Sequence, residues 1–318
     1  MNNLISIIIP HYNTPDTLLR LLRSIPIRDD IEVIVVDDNS DNISLNELYK
    51  KISVFPHVQL FLNDSGVKGA GASRNIALRK AKGKWLLFAD ADDFFVEGFY
   101  EKISPYLDSD YDIVYFPPTS IDDKTREKST RHVTYMEYVN RYYHKPNFKN
   151  LTALKYGFCT PVSKLIRFDI LKEHNLSFEE ILVGNDIMCM TKCAYYSQKI
   201  KAMNEIIYCI TRSAGTLTSK RDEQNFDTRT HLLIRHYCFL KNHLSRKEFR
   251  YTQINRSALS IYVKAIADHW GIRKLFEIMK LYRRNNVKCF DIGLLNPIIL
   301  FQVFKKALLY FKNLKKHR

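Results

Sequence analysis

Apolar residues early in the chain fall into two alternating patterns. Short, continuous, largely β-branched runs predict buried strands at Leu4–Ile9, Glu32–Val36, Val58–Leu62, Lys84–Phe88 and Tyr111–Phe116. Between them, leucine and alanine recur at helical spacing. Thr14–Ser24 places Leu18, Leu19, Leu21 and Leu22 on one side, with Thr14 set to cap the helix and Pro15 at its first position. Leu45–Ile52 predicts a second helix. Gly71–Lys82 predicts a third, with Ile76, Ala77 and Ala81 on one face. Strands alternating with helices predict an α/β fold with a mainly parallel central sheet.

Past residue 120 the alternation weakens. Residues 121–157 are polar and tyrosine-rich, and Phe158–Arg167 and Ile206–Thr211 predict further strands. From residue 228 the pattern is helical: Leu232, Leu233, His236, Tyr237 and Leu240 are expected to share one face, and Leu259, Tyr262, Val263 and Ile266 another. This predicts an α/β domain over residues 1–220 followed by a helical region over 221–318.

Charge sharpens that division. The 318 residues carry a formal net charge of +15, with 46% apolar and 26% charged residues, which excludes wholesale disorder. Residues 1–200 hold 25 basic and 26 acidic side chains, whereas residues 201–318 hold 24 and 8, a net of +16. A basic C-terminal third points to an anionic partner. Within it, Pro297–Lys316 sorts into an apolar side (Leu300, Phe301, Val303, Phe304, Ala307, Leu308, Tyr310, Phe311) and a polar one (Gln302, Lys305, Lys306, Lys312, Asn313, Lys316). Such a helix suits an anionic membrane surface; packing of its apolar side on the protein is the alternative. The uncharged run Ile292–Phe304 has 13 residues, short of the ~20 needed to span a bilayer. No signal peptide is evident, so a cytoplasmic protein, peripheral on the inner face of the membrane, is expected. The six cysteines contain no C-x-x-C pair and are expected to be reduced thiols.

Candidate chemistry collects at the carboxyl ends of the predicted strands, where open α/β sheets bind ligands. The first ends in Pro10-His11-Tyr12-Asn13, the second in Asp37-Asp38-Asn39-Ser40, the fourth in Asp90-Ala91-Asp92-Asp93. Asp37, Asp38, Asp90, Asp92 and Asp93 crowded at one sheet edge would repel one another and titrate upward unless a donor-rich ligand or a divalent cation compensates them. Such hard oxygen ligands suit Mn2+ or Mg2+ shared with substrate phosphates; a solvated acidic turn is the alternative. A dinucleotide site is disfavoured, because the first strand lacks the G-x-G-x-x-G turn. Gly66–Gly71 follows the third strand and lacks the Lys-Ser/Thr ending of a P-loop.

Four stretches, Ser6–Asn13, Glu32–Asp41, Gly69–Leu78 and Gly83–Asp93, together resemble the family 2 inverting glycosyltransferases of GT-A fold that build bacterial capsules and other surface polysaccharides. The resemblance runs through residues 4–93 and more faintly to about residue 218. It implies a nucleotide-binding part over 1–120 and an acceptor part over 121–220. Pro10, Tyr12 and Asn13 would line the nucleotide pocket, with the Tyr12 ring near the base. Asp38 would accept the uracil N3–H, with Asp37 beside it. Arg74 and Asn75 would hold the base side and fix the loop, with a structural ion pair as the alternative for Arg74. Asp90, with Ala91, would face the ribose or metal-bound water, and Asp92, with Asp90, would hold Mn2+ or Mg2+ at the diphosphate. Arg212, before the small-residue loop Ser213–Thr218, would touch phosphate.

The same resemblance puts the catalytic base at Asp186, in Phe178–Met188, with Glu179 and Glu180 as fallbacks. Asn185 stands where the family usually has Glu. Asp186 also precedes a helical run and is a candidate N-cap. The implied partners are a UDP-sugar donor and a saccharide acceptor, expected to be lipid-linked, and not nucleic acid. A nucleotidyltransferase and a non-catalytic nucleic-acid-binding protein are the rival readings; the second is weakened because no nucleic-acid motif is present.

Overall fold

The computed structural model describes residues 4–212 and 222–289. The chain divides into two compact units, Met1–Leu217 and Thr218–Arg318.

The first unit is built on a seven-stranded sheet. In chain order its strands are β1 (Ile5–His11), β2 (Ile31–Asp37), β3 (Val58–Leu62), β4 (Trp85–Phe88), β6 (Ile113–Tyr115), β8 (Lys164–Arg167) and β9 (Ile200–Ala202), arranged β3-β2-β1-β4-β8-β6-β9. β8 runs antiparallel to both neighbours, and the other pairings are parallel. A smaller sheet, β5-β10-β7, joins β5 (Phe94–Phe95), β10 (Tyr208–Arg212) and β7 (Thr119–Asp122).

Continuous apolar runs form the central strands because both faces of the sheet are covered. Ile5, Ile7, Ile9, Val33 and Val35 face one core with Leu18, Leu21 and Leu22 of α1 (Pro15–Arg23) and Leu48 of α2 (Leu45–Ile52). Ile8, Ile34, Val36, Leu86 and Phe88 face the other. There they meet α3 (Ala70–Lys80), α5 (Val133–His144), α6 (Phe148–Gly157), α7 (Phe168–Glu173) and α8 (Ile187–Tyr196). α4 (Phe99–Ile103) adds Phe99 and Ile103 to the first core. Ser6, a polar residue inside the apolar run of β1, is fully buried and donates to Glu32 at 2.5 Å.

Several expectations change. Thr14 occupies the N-cap of α1, but its side chain makes no capping bond. The polar stretch 121–157 holds two helices, α5 and α6, whose buried residues are few and hidden among tyrosines. The strand expected over Phe158–Arg167 is confined to Lys164–Arg167.

The second unit comprises α9 (Glu223–His243), α10 (Arg246–Thr252), α11 (Ile254–Ala267) and α12 (Gly271–Arg284). Its core joins Phe226, Ile234, Ala258, Ile261, Ala265, Ile278 and Tyr282. The face expected for α11 is wrong: Ala258, Ile261 and Ala265 point inward and Ile266 is 54% exposed, because the small alanines let the helix pack closely there. Burial pulls His236 down to about 4, as for a structural histidine. Among the described residues no helix is long and apolar enough to cross a membrane. The amphipathic segment 297–318 and the loop Ser213–Thr218 lie outside the described residues.

Candidate active site

The winding of the sheet places the site. The chain leaves β1 toward β2 and β3, then returns to add β4 on the other side of β1, so the carboxyl ends of β1 and β4 flank a topological switch point. Leu4 and Ile8 turn their carbonyls to β4, accepting from Trp85 and Ala89, so the nitrogen of Pro10 faces the same way. Pairing with β4 stops at Ile8–Phe88, so the missing N–H of Pro10 costs nothing and the two strands part there.

Most residues at the β1 and β2 ends are tied to one another. The ladder sets His11 beside Asp37, and their side chains bond at 2.7 Å. Asp37 also accepts from the Ser40 amide and hydroxyl at 3.0 and 2.6 Å. Burial pushes Asp37 up, but the bonds from His11 and Ser40 outweigh it and hold the carboxyl below its ordinary value. Asn13, at φ 54°, accepts from the amides of Asp41 and Asn42 at 2.7 and 3.2 Å and fastens the first strand end to the second. Tyr12 is 39% exposed, donates to Asp41 at 2.7 Å, and has the Lys68 ammonium 4.5 Å from its ring centroid.

Asp38 is differently placed. One carboxylate oxygen accepts from Asn63 Nδ2 at 2.5 Å and the other from the Gly69 amide at 2.8 Å. Burial raises its pKa in spite of those bonds and the nearby Lys68. A carboxylate has about four acceptor sites, so each oxygen retains capacity for a ligand donor.

At the β4 end the aspartates separate into distinct states. Asp90 pairs with Arg74 at 2.6 Å, and its amide donates to the Tyr208 hydroxyl at 2.9 Å. Ala91 is buried in the core and pins the turn. Asp93 is buried and accepts from the Thr211 amide at 2.7 Å; burial, then Asp92 and Asp90, push it well above the usual carboxylate range. The carbonyl of Asp92 accepts from Arg20 and from the Thr211 hydroxyl, both at 2.5 Å. No other described residue donates to its carboxylate, and burial, followed by repulsion from Asp90, raises it to about 6.

A cation fits Asp92 as an orphaned, half-buried carboxylate held by its backbone. Asp90 already gives one oxygen to Arg74. Among the described residues no three His, Cys, Asp or Glu side chains form a metal-holding group, so the remaining ligands of a hard cation would come from substrate phosphate and water.

Arg74 links these carboxylates to Asp186. Its guanidinium is buried, bonds Asp90 through one nitrogen and the Asn185 side-chain oxygen through the other at 2.7 Å, and lies 5.3 Å from the Phe178 ring centroid. The ion-pair alternative for Arg74 therefore describes its contacts. The neighbouring Asn75 fixes the backbone of Phe178. Gly71 allows the helix to approach the same loop: a Cβ there would lie 2.1 Å from the Glu179 carbonyl oxygen. Asp186 stands at the N-cap of α8, yet its side chain makes no capping bond. Burial raises its pKa above the ordinary value; the charges of Arg74 and Lys164 act in the opposite sense. Glu180 is within 3.4 Å of the Asn75 amide nitrogen. Arg212 is exposed at the end of β10.

Several residues around these groups escape the motif reading. Asn63 could have been found by extending the strand-end rule to β3. Tyr208, Thr211 and Arg20 reach the Asp90–Asp93 turn from distant segments and carry no local signal.

Comparison with known proteins agrees with this architecture. The poly(ribitol-phosphate) beta-glucosyltransferase of Bacillus spizizenii is 28% identical over 217 residues, covering 65% of this chain and 32% of that protein. The chain spans about a third of the length of the curated relatives it matches first. The crystal structure of S. aureus TarS in complex with UDP-GlcNAc superposes with a TM-score of 0.71 at 17% identity, covering 98% of this chain and 90% of that one. A mannosyltransferase from Pyrobaculum calidifontis, in complex with GDP-Man and Mn2+, superposes with a TM-score of 0.54 at 14% identity, over 98% and 82% of the two chains. These likenesses establish the GT-A type of fold. The sequence profile described as "Glycosyl transferase family 2" matches residues 6–174, more than half of the 318, and the chain belongs to that family.

Proposed function

We propose that the protein transfers a hexose or N-acetylhexosamine from a UDP-sugar to a hydroxyl of a saccharide acceptor, with inversion, in surface polysaccharide synthesis. The carrying observation is the pair of carboxylates at the switch-point crevice without a hydrogen-bond donor from another described residue, Asp92 and Asp186, joined through Arg74 and its partners Asp90 and Asn185. The UDP-GlcNAc bound by TarS supports the donor class, and the poly(ribitol-phosphate) named for the relatives supports a polymeric acceptor.

In this reading Asp38 accepts the uracil N3–H while Asn63 and Gly69 keep its carboxylate in place. Tyr12 packs near the base, and Pro10, Asn13 and Asp37 shape the pocket floor. Asp90 and Ala91 face the ribose, and Arg212 touches phosphate. Asp92 would hold Mn2+ or Mg2+, which when bound offsets charge on the departing diphosphate. Asp186 takes the proton from the acceptor hydroxyl. The oxygen forms a bond to the anomeric carbon as the bond to the UDP oxygen breaks, and the configuration inverts. A raised pKa suits a carboxylate that must accept a proton near neutrality. The acceptor is lipid-linked, and the basic segment 297–318 holds the enzyme at an anionic, cytoplasmic membrane face.

The test is UDP release from a panel of UDP-sugars with Mn2+, for the wild type and Asp186→Asn. Transfer or hydrolysis with one donor, lost in Asp186→Asn, is expected. Indifference of the folded protein to every UDP-sugar sinks the proposal.

A further inference from the structure

Lys164, the first residue of β8, is 2% exposed. Its ammonium donates to the carbonyls of Phe158 and Thr160, each at 2.5 Å, and lies 4.3 and 5.0 Å from the ring centroids of Phe158 and Tyr115. No carboxylate among the described residues is in ion-pair contact with it. Burying an ammonium this way costs several kcal/mol, and two structural features offset part of it. First, Phe158 is the C-cap of α6, so the cation sits at the negative end of that helix. Second, the charge of Asp186 lies near enough for the two groups to attract each other.

The same contacts form a mechanical link. The Phe158–Ser163 loop lies between α6 and β8, with Ser163 at φ 59°. From this loop the Cys159 sulfur sits 3.7 Å from the Thr191 hydroxyl on α8, the helix that Asp186 begins. We propose that Lys164 is a positioning residue for Asp186: its buried ammonium fixes the Phe158–Thr160 carbonyls against α8 and supplies, at neutral pH, a positive charge that favours the ionised Asp186 carboxylate. This rests on the reading of Asp186 as the base.

The other groups around the pair are consistent with this role. Asp186 is faced by Arg74 from α3, Asp90 from the end of β4, Tyr135 from α5, Cys159 from the loop and Cys189 from its own helix. Arg74 and Lys164 are the cations among these, and Arg74 already serves Asp90. Lys164 is faced by Cys159, Cys193 and Asp186. Burial pulls its pKa down to about 8, so the charge is present at neutral pH and disappears just above it.

The experiment is the pH profile of kcat/KM for UDP release from the full chain, compared among wild type, Lys164→Met, Lys164→Arg and Asp186→Asn. In Lys164→Met the acid limb should move up by about half a pH unit or more, and kcat at neutral pH should fall about tenfold with a smaller change in donor KM. The wild-type alkaline limb near pH ~8 should vanish in Lys164→Met and in Lys164→Arg, whose charge does not titrate, while Lys164→Arg keeps the acid limb. A folded Lys164→Met with a lowered Tm and an unmoved profile would show that the lysine only caps α6, and the proposal falls. If Lys164→Met does not fold, an alkaline limb persisting in Lys164→Arg overturns it. A wild-type profile flat from about pH 7 to about pH 9.5 does so without any variant. An active Asp186→Asn removes the base reading itself, whereas an inactive one beside an unmoved Lys164→Met profile overturns only the role of Lys164.

Discussion

Asn75 and Phe178 exchange two hydrogen bonds across 103 residues of chain: the Asn75 amide donates to the Phe178 carbonyl at 2.9 Å, and the Phe178 N–H donates to the Asn75 oxygen at 2.8 Å. One side chain on α3 thereby satisfies both backbone groups of a residue in the loop that leads to Asp186. The helix that contacts Asp90 through Arg74 also sets the position of the proposed base.

Asn75→Ala should therefore cost about 2–3 kcal/mol, since it leaves two buried backbone groups unpaired. Denaturant melts would read that loss. In steady-state kinetics kcat should fall further than donor KM rises, because the loop rather than the nucleotide contacts is released.

Asp92→Asn should separate stability from activity. A carboxyl raised from 3.8 to about 6 opposes folding at pH 7 by about 2–3 kcal/mol, and the amide removes that charge. Thermal melts of the metal-free variant should rise by several degrees while most UDP release is lost. A variant that melts earlier and stays active would show that the carboxylate serves the fold.

The same shift fixes the sign of a pH effect. The protonated form of Asp92 favours the fold fully below its ordinary value of 3.8, and that contribution is lost as pH rises through about 6. The gain in Tm on adding Mn2+ should accordingly be large near pH ~7.5 and small near pH ~5, where protons compete for the carboxylate. A gain independent of pH would place the ion elsewhere.

Gly71→Ala should displace the loop that carries Glu179 and Asn185, because no Cβ fits 2.1 Å from a backbone oxygen. A stability loss of about 3 kcal/mol or more and a drop in kcat of at least about tenfold are expected. Unchanged melting and activity would mean that α3 can withdraw freely.

Residues 297–318 carry six basic side chains (Lys305, Lys306, Lys312, Lys315, Lys316 and Arg318) and no acidic ones. At about 1 kcal/mol per charge near an anionic leaflet, the full chain should sediment with anionic vesicles, less so as salt rises, and a chain ending at Asn296 should not. Activity on a small soluble acceptor should survive the truncation. Aggregation of the shortened chain would mean instead that the segment's apolar side packs on protein.

The β1–β4 half of the fold was legible because each strand is short, apolar throughout and closed by a polar turn, and buried parallel strands leave that mark. The strand ends also gave the crevice and its aspartates. What holds Asp37 and Asp38 in place was not legible: the resemblance gave them different roles, but only the β1–β2 register gives one to His11 while Asn63 and Gly69 hold the other. Nor was Lys164, whose burial depends on α6, α8 and β8 converging from separate segments. The α5 and α6 helices were missed because their tyrosines mask the period, and the face of α11 was misjudged because packing there uses alanine rather than the larger residues that dominate a hydropathy pattern.

The placement of β8 between β4 and β6 also bears on how the chain reaches this state. As synthesis proceeds, β1, β2, β3 and β4 can assemble from local segments, but the outer edge of β4 stays open until Lys164–Arg167 leaves the ribosome, because β6, although made earlier, meets β4 only through β8. The nascent protein thus carries an apolar, unpaired Trp85–Phe88 edge through the making of α5 and α6. That interval is when chaperone capture or wrong strand addition competes with closure, and a single four-residue strand ends it.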